Sequence, residues 1–194
     1  MFWVEKKSLL IADLHIGKGA HFRKNGIALP SNINNDNLWR LAGLLLDTKA
    51  ERLILLGDLF HSAFNDEWHA FADMLDNFPK LKTILVKGNH DILDQKVWDN
   101  ANIDVVEEWC EGPFVMCHEP SEEIDERGYR LCGHIHPAVR LLGAGRQSLK
   151  LPCFWFSEHQ GVFPTFGYFT GSVAVQPGKK DVVFVVTEES VLRI

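Results

Sequence analysis

The chain has 194 residues, 46% of them hydrophobic and 24% charged, with a formal net charge of -6. That length suits one domain with a sizeable core, residues 1–194, and no apolar stretch approaches the ~20 residues that a membrane-spanning helix needs. The acidic balance argues against a non-specific polyanion binder, because such proteins carry basic stripes that displace phosphate counterions. Met1-Phe2-Trp3-Val4 runs straight into Glu5-Lys6-Lys7, unlike a secretory leader, which points to the cytoplasm. Cys110, Cys117, Cys132 and Cys153 lack C-x-x-C spacing and read as buried, reduced thiols.

Residues 1–15 predict a short hairpin turning at Glu5-Lys6-Lys7, whose second arm, Leu9-Leu10-Ile11-Ala12, delivers Asp13 and His15. Residues 17–32 combine Gly17, Gly19, Gly26 and Pro30 with Lys18, His21, Arg23 and Lys24. This is a locally basic connection, and Lys18 and Arg23 are its candidates for steering a phosphate. From Asn34 onward, Leu38, Leu41, Ala42 and Leu45 fall at the i, i+3, i+4, i+7 spacing of an amphipathic helix. Leu53-Ile54-Leu55-Leu56 is an unbroken apolar run closed by Gly57-Asp58. It reads as a strand buried on both faces, with a carboxylate at its C-terminal lip.

A second helical stripe follows at Trp68, Phe71, Ala72 and Leu75, and this alternation of strands with helices implies βαβ units in a parallel sheet. Ile84-Leu85-Val86 runs through Lys87-Gly88 into Asn89-His90-Asp91, and residues 92–100 predict a short helix with Val97 and Trp98 inward. Beyond Phe114 the segments shorten and turns multiply, predicting a mainly β half. Its later strands are placed at 148–156, 162–169, 172–176, 182–186 and 191–194. Within this half, Phe114-Val115-Met116-Cys117 ends in His118, and Leu131-Cys132-Gly133 ends in His134-Ile135-His136.

Each of these apolar runs therefore ends in residue types that bind metals, and in open α/β sheets ligands bind outside the carboxyl ends of the strands. Pooled, Asp13, His15, Asp58, Asn89, His90, His118, His134 and His136 offer imidazoles with carboxylate and amide oxygens, a set that suits manganese, iron or zinc and matches no thiolate finger. The set is too large for one ion. Two ions roughly 3.5–4 Å apart, sharing a bridging carboxylate, would use it and leave positions for water and substrate. Glycine ahead of Asn89 and of His134 permits a tight strand-to-loop turn. No spacing supports a serine or cysteine nucleophile. His61, three residues after Asp58, suits a supporting or substrate-contacting role, whereas His21, His69 and His159 read as surface histidines.

Asp13-x-His15, Gly57-Asp58, Gly88-Asn89-His90-Asp91, His118 and Gly133-His134-x-His136 resemble the signature blocks of the calcineurin-like metallophosphoesterases. The resemblance implies an α/β fold, a four-layer α/β/β/α sandwich with a dinuclear centre at the strand ends. It implies one ion held by Asp13, His15, Asp58 and His136, and another by Asp58, Asn89, His118 and His134, with Asp58 bridging. It also implies His90 beside the substrate as general acid or transition-state donor, Asp91 orienting its ring, and attack on phosphorus by a water that the ions acidify.

Further stretches resemble the ligase-associated DNA damage response endonucleases. They are Leu10 to Lys18, Gly57 to Ser62, His118-Glu119-Pro120, Gly133 to Pro137, Leu151 to Trp155, Phe163 to Gly167 and Phe169-Thr170-Gly171. That family implies a manganese-dependent DNA phosphodiesterase of bacterial DNA repair. The acidic charge favours single-stranded DNA or DNA ends gripped by the metals, or recruitment by a repair partner protein, over tight duplex binding. The alternative is a small-molecule phosphodiesterase or nucleotide pyrophosphohydrolase on the same centre.

Overall fold

The computed structural model describes residues 1–17, 33–60, 66–143, 145, 147–168 and 170–194. Lys18, Arg23 and His61 lie outside the described residues. Strands β1 (Phe2–Trp3) and β2 (Ser8–Ile11) form the N-terminal hairpin, turned by a 3-10 segment, Val4–Lys6, that closes on Lys7 in the left-handed region. Then β2, β3 (Arg52–Leu56), β4 (Lys82–Val86) and β5 (Ile103–Val106) run parallel in sequence order, completing a five-stranded sheet. The connecting helices are α1 (Ile33–Thr48), α2 (Asp66–Asp76) and α3 (Gln95–Asn100). The last starts later than the sequence pattern suggests because Asp94 caps it, its carboxylate accepting from the Lys96 amide at 2.9 Å.

Successive side chains of a strand point to opposite faces, so an all-apolar strand must feed two cores. Leu9, Ile11, Leu53, Leu55 and Leu85 pack against Leu41 and Leu45 of α1 and Trp68 and Phe71 of α2. Their neighbours Leu10, Ile54, Leu56, Ile84 and Val86 face Met116, Leu131 and Phe163 of the second half. That half is a nine-stranded sheet, containing the hairpin of β6 (Trp109–Glu111) and β7 (Phe114–Met116), then β8 (Tyr129–Cys132), β9 (Pro137–Leu142) and β10 (Ser148–Phe156). β11 (Gln160–Val162), β12 (Val173–Ala174), β13 (Val182–Val186) and β14 (Val191–Arg193) complete it. Its order is β12-β9-β10-β11-β8-β7-β6, with the β13–β14 hairpin attached to β10.

The two sheets face each other in a mixed α/β sandwich, and the helices cover the first sheet. Among the described residues no helix covers the outer side of the second, where Val139, Cys153, Val183 and Val185 form a cluster of their own. At the amino ends of the parallel strands, Arg52 ties the sheets together. It bonds Ser8 Oγ at 2.9 Å and forks onto Glu111 of β6 at 2.8 and 3.2 Å. Of the cysteines, Cys117, Cys132 and Cys153 are buried free thiols as the sequence suggests, but Cys110 is exposed.

The strand expected over 162–169 stops at Val162. Pro164 has no amide to give a ladder, and the chain beyond it pairs instead with the first half: the Phe166 amide donates to Ala12 O at 2.8 Å and the Gly167 amide to Asp13 O at 3.1 Å. A Cβ at Gly167 would sit 2.3 Å from Leu14 O, so glycine is what lets this segment lie so close.

Phe163 is 1% exposed between the sheets. Phe163→Ala is expected to cost about 3–5 kcal/mol in urea unfolding, whereas Trp39→Ala, on a side chain 76% exposed, should stay within about 0.5 kcal/mol.

Candidate metal centre

Beyond the ends of β2 and β3 the backbones stay zipped. The Asp13 amide donates to Gly57 O at 3.2 Å, His15 to Asp58 O at 2.9 Å and Ile16 to Leu59 O at 2.9 Å. The loops after β7 and β8 are joined likewise, through Cys117 N to Leu131 O at 3.1 Å and Gly133 N to His118 O at 3.0 Å. Within these loops Asp13 (φ 53°), His15 (φ 49°), Asp58 (φ 49°), His134 (φ 69°) and His136 (φ 48°) all adopt the left-handed region. A side-chained residue gives up roughly 1–2 kcal/mol there, and such strain gathers at functional sites whose surroundings over-determine it.

The side chains of the sequence-predicted set meet in two groups. In the first, His136 Nε2 lies 3.3 Å and His15 Nε2 4.0 Å from Asp13 Oδ1, the two imidazole nitrogens are 3.3 Å apart, and Asp58 Oδ2 is 3.7 Å from His15 Nε2. In the second, His118 Nε2 lies 3.5 Å from Asp58 Oδ1 and 3.1 Å from both Asn89 Oδ1 and His134 Nδ1. The two oxygens of Asp58 thus face different groups. Asp13 also comes within ligand reach of Asp58 and His118, closer to the second group than the sequence alone suggests.

A cation fits this set. Asp13 is fully buried and its Oδ2 accepts from the His134 amide at 3.0 Å, but its Oδ1 is buried with no hydrogen-bond donor among the described residues. Burying a carboxylate without compensation is costly, and the ion-pair distances to Asp13 and Asp58 among those residues come from histidines alone. His118 Nδ1 lies 3.1 Å from Leu56 O, which it must serve as donor. That fixes the tautomer and leaves the Nε2 lone pair facing inward, as a metal ligand requires.

The glycines that precede candidate ligands act by absence of bulk. A Cβ on Gly57 (φ 76°) would fall 2.0 Å from His118 Nδ1, on Gly88 2.4 Å from Asp58 Oδ1, and on Gly133 2.3 Å from Asp13 Oδ2. Each glycine thereby makes room for a donor carried by a different loop. The sequence signals these positions as turn formers, yet only the assembled loops show the close approach.

His90 stands further out. Its side chain is 43% exposed, with Nε2 4.0 Å from Asp58 Oδ2 and its amide donating to Asp58 Oδ1 at 3.0 Å. The family resemblance implies that Asp91 orients the His90 ring; in the structure both Asp91 oxygens also accept from backbone amides, Oδ2 from Gly88 at 2.8 Å and Oδ1 from Phe60 at 3.2 Å. Burial pushes the Asp91 carboxyl up to about 6, against the pull of those two amides. Nor does any sequence signal anticipate that Thr165 Oγ1 supports Asp13 O at 2.8 Å. His69 and His159 are exposed and outside these groups.

A family model described as calcineurin-like phosphoesterase matches residues 6–186. Among solved structures, the chain is similar to the Pseudomonas putida nuclease MPE at 32% identity and a TM-score of 0.80, over 95% of this chain and 86% of that one. It shares the fold of the E. coli phosphoesterase Yfce, at 14% identity and a TM-score of 0.52, over 96% of this chain and 97% of that one. No curated protein matches it.

Gly133→Ala is expected to weaken Mn2+ binding about 10- to 100-fold by displacing Asp13. Calorimetric titration of the metal-stripped protein would measure this, with Gly43→Ala, where a Cβ meets nothing within 4 Å, leaving affinity unchanged.

Proposed function

Since the chain belongs to the calcineurin-like phosphoesterase family and hydrolyses phosphoric esters, we propose that its substrate is DNA and that it serves as a nuclease of bacterial DNA repair. The observation that carries this reading is the likeness, along nearly the whole chain, to a structure named a nuclease. In this reading residues 1–194 act as one cytoplasmic domain, a proposal supported by the core that both sheets share. Single strands and DNA ends are preferred over intact duplex, with recruitment by a repair partner compensating for an acidic surface.

Asp13, His15, Asp58 and His136 would hold one divalent ion, and Asp58, Asn89, His118 and His134 the other, with manganese favoured over iron or zinc for so mixed a donor set. When bound, such a pair acidifies a water toward neutrality and offsets charge on the phosphoryl oxygens. Buried Asp13 and Asp58 fix the position of that charge, and His118 is locked in the tautomer that presents Nε2. His90, at the open edge and tethered by its amide to Asp58, would donate a proton to the leaving oxygen. Asp91 acts one step back, bracing the loops after β3 and β4 through Phe60 and Gly88.

A second reading is a small-molecule phosphodiesterase or nucleotide pyrophosphohydrolase. It draws on the size of the adjoining cleft, about 520 Å3, ample for a small ligand.

The test compares manganese-loaded wild type with Asp58→Ala and His90→Ala on single-stranded DNA, duplex DNA and mononucleotide phosphodiesters. Asp58→Ala should lose metal by elemental analysis and all turnover. His90→Ala should keep its metal and lose about 10²- to 10⁴-fold in kcat, most on poor leaving groups. Turnover of the mononucleotide esters with both DNA forms left intact would select the second reading.

A further inference from the structure

The cleft beside the candidate metal centre has a wall that no role above explains. Asn89 and His118 line it together with two cations, Lys87 and Arg130, and three carboxylates, Glu107, Glu108 and Glu119. Arg130 rises from β8 with its side chain only 15% exposed, and arginine seldom sinks so far without a firm partner. Its partners are loose. Nη2 lies 3.4 Å from Oδ2 of Asp125, a carboxylate that accepts closer bonds from Arg127, at 2.7 Å on Oδ2 and 2.8 Å on Oδ1. Nη1 lies 3.5 Å from Cys117 Sγ, a weak acceptor. A guanidinium in that state keeps donors in a planar fork that matches a phosphate.

Lys87 stands two residues before Asn89, half-exposed, with only a 3.9 Å approach to Glu107. Among the cleft's carboxylates, Glu108 is answered by Arg127 at 2.8 Å, leaving Glu107 and Glu119 to face two cations. The balance is near neutral. Any hold on a phosphodiester there comes from the short-range donors of Arg130 and Lys87 and not from net charge. Cys117, which Arg130 touches, adjoins His118, so both cations lie immediately beside candidate metal ligands.

We propose that Arg130, with Lys87 at the rim, binds the phosphodiester adjacent to the one being cleaved, making this cleft the subsite for a flanking nucleotide of a single strand. The proposal rests on the nucleic-acid reading and deepens it.

Its test uses the manganese-loaded protein as wild type, Arg130→Ala, Arg130→Lys and Lys87→Ala. The substrates are bis(p-nitrophenyl) phosphate, which has no flanking phosphate, and a short single-stranded oligonucleotide. Arg130→Ala should raise KM for the oligonucleotide about 10- to 100-fold, as expected for removal of a charge-assisted hydrogen bond. The aryl ester kinetics and metal content should stay within twofold. Arg130→Lys should fall between, and Lys87→Ala should raise the oligonucleotide KM several-fold.

The slope of log KM against log salt should drop by about 0.7 for each cation–phosphate pair removed. Equal losses on both substrates would make Arg130 structural and overturn the proposal, as would unchanged oligonucleotide kinetics in folded variants. If Arg130→Ala fails to fold, Lys87→Ala decides, because its side chain is half-exposed. A wild type that hydrolyses the aryl ester and leaves oligonucleotides intact would overturn the nuclease reading together with the subsite. A wild type that cleaves them while the variants match it would overturn the subsite alone.

Discussion

Asp13 and Asp58 are carboxylates taken out of water, side chains 0% and 4% exposed, and turned toward one another among histidines. In a low-dielectric interior two such groups repel and each forfeits its hydration, so the arrangement is unfavourable unless positive charge enters between them. Most other features of the site reduce to holding that unfavourable cluster in place. A surface site of the same composition would relax by turning its side chains outward. This one is walled by the ends of two sheets whose strands are buried on both faces.

Backbone does much of the holding. The parallel register of β2, β3 and β4 brings their carboxyl ends level, and hydrogen bonds continue past the last strand residues so that the Asp13 and Asp58 loops share one geometry. Left-handed φ angles at Asp13, His15, Asp58, His134 and His136 would be lost in an isolated loop. They persist because cores on both sides fix where each strand must end. Asp91 contributes the cross-brace: ionised, it satisfies two amides of neighbouring loops, although burial opposes that charge. The second half reaches back as well, for Thr165 and Gly167 both bond the Asp13 carbonyl.

Much of this was legible in the sequence because it rests on local pattern. The run 53–56 closed by Gly57-Asp58, the helical stripes beneath α1 and α2, and the strands at 148–156 and 182–186 all appear where periodicity puts them. The donor set was legible for the same reason, each member following an apolar run. What the sequence hid depends on partners far along the chain. β9 begins at Pro137 and carries no clean alternation, and the segment after Val162 abandons its own strand to pair with Ala12 and Asp13. The bond from the Phe60 amide to Asp91 was hidden similarly, since the two residues are adjacent only in space.

Net charge is the feature most easily misread. A formal charge of -6 spread over 194 residues says little about one cleft, because at physiological salt an exposed charge is screened beyond about 8 Å. Two of the acids counted in that total, Asp13 and Asp58, lie inside the site, where they attract cations rather than repel phosphate. Glu108 and Asp125 are engaged by Arg127. The cleft beside the donor set therefore carries Lys87 and Arg130 together with Glu107, Glu108 and Glu119, a balance far from that of the surface as a whole. The acidity of the rest of the surface acts against long, non-specific association with a polyanion.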